Sequence, residues 1–225
     1  MEAAWVALGL SLKVALWATA IDLVLGVAAG FALARYRFPG RELLDSILLL
    51  PMVLPPTVLG YYLLVVIGRR GWFGAWLERS FGIHLIFTWQ GAVIAAAIVA
   101  FPFVCKSARA AFENVDAQLE HAAKVLGLGA TAVFFRVTLP LVKPALMVAV
   151  IFRLLDAMRI FDLVYVLTPN SSQTKTMSVI SRENLIDFDK FAYGSAESTL
   201  LFLIIAVMTI LYIWIGQVRF EGGSR

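Results

Sequence analysis

Ser198-Thr-Leu-Leu-Phe-Leu-Ile-Ile-Ala-Val-Met-Thr-Ile-Leu-Tyr-Ile-Trp-Ile-Gly-Gln-Val218 runs without an ionised side chain. A helix rising about 1.5 Å per residue needs roughly 20 such residues to cross the hydrocarbon core of a bilayer. Working outward, the same length without an ionised group recurs from Ser80 to Cys105 and from Ser46 to Gly68. Val14 to Ala34 matches except for Asp22, and Leu141 to Leu167 matches except for Arg153, Asp156, Arg159 and Asp162. The reading is an all-α, polytopic membrane protein forming one transmembrane domain over residues 1–225. About five spans are expected, near 14–34, 47–67, 86–106, 142–167 and 198–218, with a loop over 107–140.

Composition supports this. The chain is 61% hydrophobic and 15% charged, where a soluble domain carries about a quarter charged residues to cover its surface. The first span differs from a cleaved signal peptide in being too long and in having Glu2 but no basic residue before Lys13. It is expected to stay. The lone Cys105 forms no internal disulfide and reads as a small core residue. The net charge of +4 follows membrane topology rather than nucleic acid. With the N-terminus outside, the inner segments hold Arg35, Arg37, Arg41, Lys106, Arg109, Lys124, Arg136, Lys143, Arg219 and Arg225. The outer ones hold Arg69, Arg70, Arg79, Lys175, Arg182 and Lys190. Ten against six favours N-out, C-in.

Two spans are unusual. Pro51, Pro55, Pro56 and Gly60 crowd the second, removing backbone donors. It is either a kink packed on neighbouring helices or a broken helix beside a translocation path, because irregular backbone at membrane depth needs protein or a water-filled cavity around it. In the fourth, Arg153, Asp156, Arg159 and Asp162 are spaced by three, so opposite charges can meet along one helix. They either neutralise one another or line a polar path. Asp22 raises the same question, with Arg153 or Arg159 as candidate partners. Trp72-Phe-Gly-Ala-Trp-Leu-Glu78 suits an outer interfacial segment, and residues 168–197 an outer polar loop.

The loop between spans three and four is the most informative. Asp116 can cap a helix over Ala117-Gln-Leu-Glu-His-Ala-Ala-Lys-Val-Leu126, with Leu119, Ala122, Ala123 and Leu126 as an apolar stripe. Gly127 supplies the left-handed residue that ends it. A second helical stretch, Ala130 to Thr138, is expected to stop at Leu139-Pro140. On physics alone this hairpin is a surface connector or a docking knob for a partner groove.

Glu120-His-Ala-Ala-Lys-Val-Leu-Gly127, followed after nine residues by Val137-Thr-Leu-Pro140, resembles the EAA loop of ABC importer permeases. Ala122, Ala123, Gly127, Val137, Leu139 and Pro140 fall in register. His121 stands in the family's usual Glu position, and Glu120 lies one place earlier. The resemblance implies that this loop is the coupling helix docking in a cleft of an ATP-hydrolysing subunit. Arg35-Tyr-Arg-Phe-Pro-Gly-Arg41, Leu50-Pro-Met-Val-Leu-Pro-Pro-Thr-Val-Leu-Gly-Tyr-Tyr62, Gly68-Arg-Arg-Gly71, Phe87-Thr-Trp-Gln-Gly91 and Phe134-Phe-Arg-Val-Thr-Leu-Pro140 resemble the molybdate-type oxyanion permeases. Phe152-Arg-Leu-Leu-Asp-Ala-Met-Arg-Ile-Phe-Asp-Leu-Val-Tyr-Val-Leu-Thr168, Lys175-Thr-Met-Ser178 and Phe191-Ala-Tyr-Gly-Ser195 resemble carbohydrate permeases of the maltose and trehalose type.

The expected function is the permease subunit of such an importer in the cell inner membrane, carrying molybdate or a related oxyanion, or else a disaccharide. A charge-relay secondary transporter or channel is the rival from another class. No Gly-x-x-x-x-Gly-Lys-Ser/Thr occurs, so ATP and Mg would be used by a partner and not bound by this chain. Expected partners are two ATPase subunits, a periplasmic or lipid-anchored substrate-binding protein, a second copy of the chain and membrane lipid. Nucleic acid is not expected. No catalytic constellation is legible, and His84 and His121 are too isolated for a metal site. The candidate residues are Glu120, His121, Ala122, Ala123, Gly127, Val137, Leu139 and Pro140 for coupling. Pro55, Pro56, Gly60, Arg153, Asp156, Arg159 and Asp162 are the candidates for the path.

Overall fold

A computed structural model of the chain describes residues 2–69, 71–167 and 174–216. Arg70, Thr168, Arg219, Arg225 and the last residues of the fifth apolar stretch lie outside the described residues. Among the described residues all regular structure is helical. The order is α1 (Glu2–Arg35), α2 (Arg41–Val53), α3 (Pro56–Ile67), α4 (Trp72–Phe81), α5 (Trp89–Glu113), α6 (Ala117–Val125) and α7 (Ala130–Val133). Then come a π-turn (Phe134–Thr138), α8 (Leu139–Met158), α9 (Asp162–Leu167), α10 (Met177–Arg182), a second π-turn (Glu183–Asp187) and α11 (Phe191–Gly216).

Ala4–Arg35, Trp89–Glu113, Ala130–Met158 and Phe191–Trp214 are long and apolar enough to cross a membrane; α2 and α3 together make a bent fifth. At 34 residues α1 extends about 50 Å, so its ends project beyond a hydrocarbon core of about 30 Å. Helix α5 is the centre of the bundle. Its face of Ala92, Ala95, Ala96, Ala97 and Ala100 is buried, and these small side chains let backbones approach. Gly26 and Gly30 of α1 complete the contact. A Cβ on Gly30 would stand 2.7 Å from Ala108 Cβ and 2.8 Å from the backbone of Arg109. At the opposite extreme, α11 shows Phe202, Val207, Ile210 and Trp214 to its surroundings, as a lipid-facing helix must.

The proline-rich stretch is a sharp break. Helices α2 and α3 meet at 111°, with Leu54 extended because a residue before proline is driven out of helical geometry. Pro55 caps α3 and Pro56 fills its first turn, where a missing N–H costs nothing. Gly60 is buried on α9, its Cβ position 3.1 Å from Val166. It therefore serves helix packing in this chain.

Three expectations change. The helical stretch from Ala130 does not stop at Leu139-Pro140 but runs on into α8. The π-turn makes this possible: Leu139 N–H bonds Phe134 O, five residues back, and this wider turn shifts the carbonyls that a proline ring at 140 would otherwise strike. The fourth span is not one helix to residue 167, because α8 ends at Met158 and α9 restarts at Asp162. Two carbonyls freed there accept hydroxyls, Met158 O from Ser178 Oγ at 3.4 Å and Ile160 O from Thr176 Oγ1 at 3.5 Å. The outer stretch 168–197 is not a polar loop in its described part, since α10, the second π-turn and the start of α11 occupy most of it.

Candidate functional site

Helix α6 forms as its residues dictate. Asp116 caps it, accepting the Gln118 N–H at 2.8 Å. Gly127 ends it at φ +87°, with Gly127 N–H on Lys124 O and Leu128 N–H on Ala123 O, a double closure that needs the left-handed residue. The expected apolar stripe is not packed on the chain itself. Only Ala123 is buried, whereas Val125 is 87% and Leu126 81% exposed, and Leu119 and Ala122 are exposed as well. With nine residues, α6 is too short to bury both sides. Its inward side is used by Glu120 and Ala123 and its outward side is left apolar. His121 and Gly127 are on the exposed surface; Val137, Leu139 and Pro140 lie at the π-turn and the start of α8, with Val137 and Leu139 partly covered and Pro140 exposed.

Glu120 faces inward. Its Oε1 accepts the guanidinium of Arg35, at the end of α1, and the Thr138 hydroxyl at 2.7 Å. Beneath it Phe31, Phe112 and Phe134 make a cluster, with centroids 5.2 Å (Phe31–Phe112), 4.9 Å (Phe31–Phe134) and 6.3 Å (Phe112–Phe134) apart. A second charged network ties α2 to the same end of α5. Lys106 Nζ and Arg109 Nη1 stand 2.5 and 3.1 Å from Asp45 Oδ2, and Arg109 Nε and Arg41 Nη2 donate to Glu113 Oε1 at 2.8 and 3.1 Å. The ends of α1 and α5, helix α6 and the bent span are joined at this end of the bundle.

The membrane charges separate into two sets. Arg153, 2% exposed, donates through Nε to Oδ2 of Asp22, which is 0% exposed, at 2.5 Å, and through Nη2 to Ala96 O at 2.9 Å. One buried pair thus links α1, α5 and α8. Arg153 does not pair with Asp156. Asp156, Arg159 and Asp162 are exposed and form no ion pair with one another among the described residues, and the break at Arg159 puts Asp162 in a different helix. Arg159 also lines a cavity of about 560 Å³ with Arg182, Ser178, Ser181, Ser198 and several apolar side chains, and among the described residues no carboxylate is in that lining. Arg182 is held there by Asp187 at 2.6 Å and by the Tyr165 hydroxyl at 3.2 Å. Pro55 and Pro56 are exposed at the α2–α3 break.

Sequence reasoning missed Arg35, Thr138 and the Phe31–Phe112–Phe134 cluster. Arg35 stood out as a topogenic charge, but its partner lies 85 residues away and no spacing rule reaches that far. Gly26-Val-Ala-Ala-Gly30 carried a legible signal, since small residues four apart mark close helix contacts.

The comparisons agree with this geometry. The profile described as "Binding-protein-dependent transport system inner membrane component" matches residues 23–218. The chain is 38% identical over 223 residues to the molybdenum transport system permease protein ModB of Escherichia coli K12, covering 98% of this chain and 97% of that one. It is 32% identical over 207 residues to the sulfate transport system permease protein CysW of Synechocystis, covering 91% and 74%. Among solved structures, a bacterial alginate ABC transporter in complex with a pentasaccharide-bound periplasmic protein superposes with a TM-score of 0.82 at 14% identity, over 97% of this chain and 80% of that one. The MetNI methionine transporter superposes at 0.61 and 14%, over 96% and 92%. An exposed apolar helix braced on a bundle of four or five spans, in a chain matched almost end to end by transport permeases, has one family placement: this protein belongs to the binding-protein-dependent transport system inner membrane components and has the transmembrane fold of ABC importers.

Proposed function

We propose that this chain is the membrane subunit of an ATP-driven importer for a small oxyanion of the molybdate or sulfate kind. The observation that carries the proposal is the outward face of α6, where Leu119, Ala122, Val125 and Leu126 are left uncovered on a helix whose inward side is pinned. Apolar groups so placed outside a bilayer fit a partner groove. In this reading two ATPase subunits take the α6 helices of two copies of the chain, on the cytosolic side. His121, Ala122 and Gly127 lie at that contact, and Val137, Leu139 and Pro140 carry its motion into α8. ATP and Mg stay with the ATPase, and a substrate-binding protein delivers solute to the other side. The Lys and Arg distribution supports N-out, C-in in an inner membrane.

Asp156, Arg159 and Asp162 support a path closed by the second copy. Uncovered charges at membrane depth cost about 2.5–3.5 kcal/mol each unless water or a partner meets them. The oxyanion reading is supported by the relatives and by the cavity lined in part by three serines, Arg182, which Asp187 already pairs, and Arg159, which has no ion pair among the described residues. Asp156 and Asp162 beside Arg159 favour the second reading, a neutral carbohydrate.

The deciding experiment reconstitutes the chain with its ATPase and binding protein in liposomes. ATP hydrolysis and uptake should rise with molybdate, tungstate or sulfate, and not with maltose or trehalose. Stimulation by disaccharide alone replaces the oxyanion reading with the carbohydrate one. Uptake by the chain without any ATPase makes it a secondary transporter or channel instead.

A further inference from the structure

Helix α6 is short, and turns rather than continuous helix join it to its neighbours. Nine residues are joined to α5 through Asn114 and Val115 and to α7 through Leu126–Gly129, a linker with glycine at 127 and 129. Links of that kind bend before they transmit a push. The side that meets the bundle offers little apolar area, since Ala123 is its only buried residue. What ties it is Glu120. One carboxylate oxygen takes both the Arg35 guanidinium at the end of α1 and the Thr138 hydroxyl at the end of the π-turn that begins α8. The side chains of Arg35 and Glu120 are 27% and 14% exposed, so the pair is shielded from water on most sides. Charge-assisted hydrogen bonds are the strong members of their class and hold direction as well as distance.

Resting on the reading above, we infer that the Arg35–Glu120–Thr138 tie is the strap that makes α6 move as one body with the ends of α1 and α8. Glu120 is then a positioning residue and makes no contact with the ATPase, which meets the opposite face through His121, Ala122, Val125 and Leu126. The stroke enters α1 directly rather than through the glycine linker. The Phe31–Phe112–Phe134 cluster under the strap spreads it to α5, because Phe112 is buried and in ring contact with the end of α1 and the π-turn.

The test uses the full complex of the chain with its ATPase and binding protein. Two readouts are needed: tungstate taken up per ATP hydrolysed, and the distance between spin labels at Tyr36→Cys and Lys124→Cys, both exposed and outside the proposed ATPase contact, in a Cys105→Ala background. In the otherwise native protein that distance should be the same in nucleotide-free and vanadate-trapped complexes. Glu120→Gln should still assemble and hydrolyse ATP, should lose at least fivefold in tungstate per ATP, and should show a second label distance. Exchanging the charges, Arg35→Glu with Glu120→Arg, should restore both. A label distance that changes with nucleotide in the otherwise native protein overturns the inference. So does an unchanged transport ratio in Glu120→Gln, or a Glu120→Gln variant that no longer binds the ATPase. The label distances need no particular substrate, so a native complex that fails to move tungstate counts against the proposed substrate and not against the strap.

Discussion

Two sets of charges interrupt the apolar stretches of the sequence, and the chain treats them in opposite ways. Asp22 and Arg153 are drawn out of reach of water, bonded to each other and to Ala96 O, and tie three helices. Asp156, Arg159 and Asp162 come from the same run of sequence and stay on the surface without an ion pair among themselves. A buried ion pair contributes little net stability over apolar residues, yet removing one member strands the other at a large cost. An uncovered charge contributes no packing, so its removal touches function and leaves the fold. The first pair is architecture, and the second set is exposed and makes no ion pair within itself.

That contrast can be broken. Asp22→Ala should be the most damaging change, because it leaves Arg153 buried with one backbone acceptor; a loss of about 3–5 kcal/mol is expected, read as a fall in thermal midpoint in detergent. Asp22→Ala with Arg153→Met should recover most of it. Equal midpoints for the single and double variants would remove the pair from the architecture. Next comes the helix contact the pair spans. Gly30→Leu places a side chain where a Cβ already meets Ala108 at 2.7 Å, and overpacking of this kind costs about 1–3 kcal/mol. The same thermal measurement, with Gly9→Leu in open space as the control, checks it.

Gly127→Val should cost about 1–2 kcal/mol at φ +87°. Its sharper effect is on uptake, which should disappear while membrane insertion persists. Arg159→Gln should change stability by no more than about 0.5 kcal/mol, read as a nearly unchanged thermal midpoint, and raise the substrate concentration needed for half-maximal uptake. A large loss of stability there would place Arg159 with Arg153. The smallest effect concerns Thr19, whose buried hydroxyl has no hydrogen-bond partner among the described residues, as is also true of Asp22 Oδ1. Thr19→Val should be neutral or gain up to about 1 kcal/mol, since it removes a stranded polar group without changing shape.

Periodicity and length in the sequence were enough for the helical class, the apolar spans, the capped helix after Asp116 and the irregularity of the proline-rich span, though not for whether that span kinks or breaks. Each of these rests on residues within a few positions of one another: apolar runs, Asp116 before a helix, Gly127 after it, prolines in series. The direction of a side chain around α6 was not legible, because an alternation of Leu, Ala and Glu says that a face exists and not what covers it. The Arg and Asp series failed for a related reason. Spacing by three permits pairing along one helix, but a carboxylate on α1 competes for Arg153, and the break after Met158 dissolves the row.

The amino-acid sequence alone therefore determined that the protein is built of membrane-crossing helices and carries a short capped helix between two of them. Both are written in local composition. Tertiary structure alone decided that Glu120 reaches Arg35, that Asp22 takes Arg153, and that α1 and α5 meet at Gly26 and Gly30. Such choices depend on which distant groups share a level in the folded bundle, and the free energy of burying a charge or seating a glycine exists only once a neighbour is there to cover it.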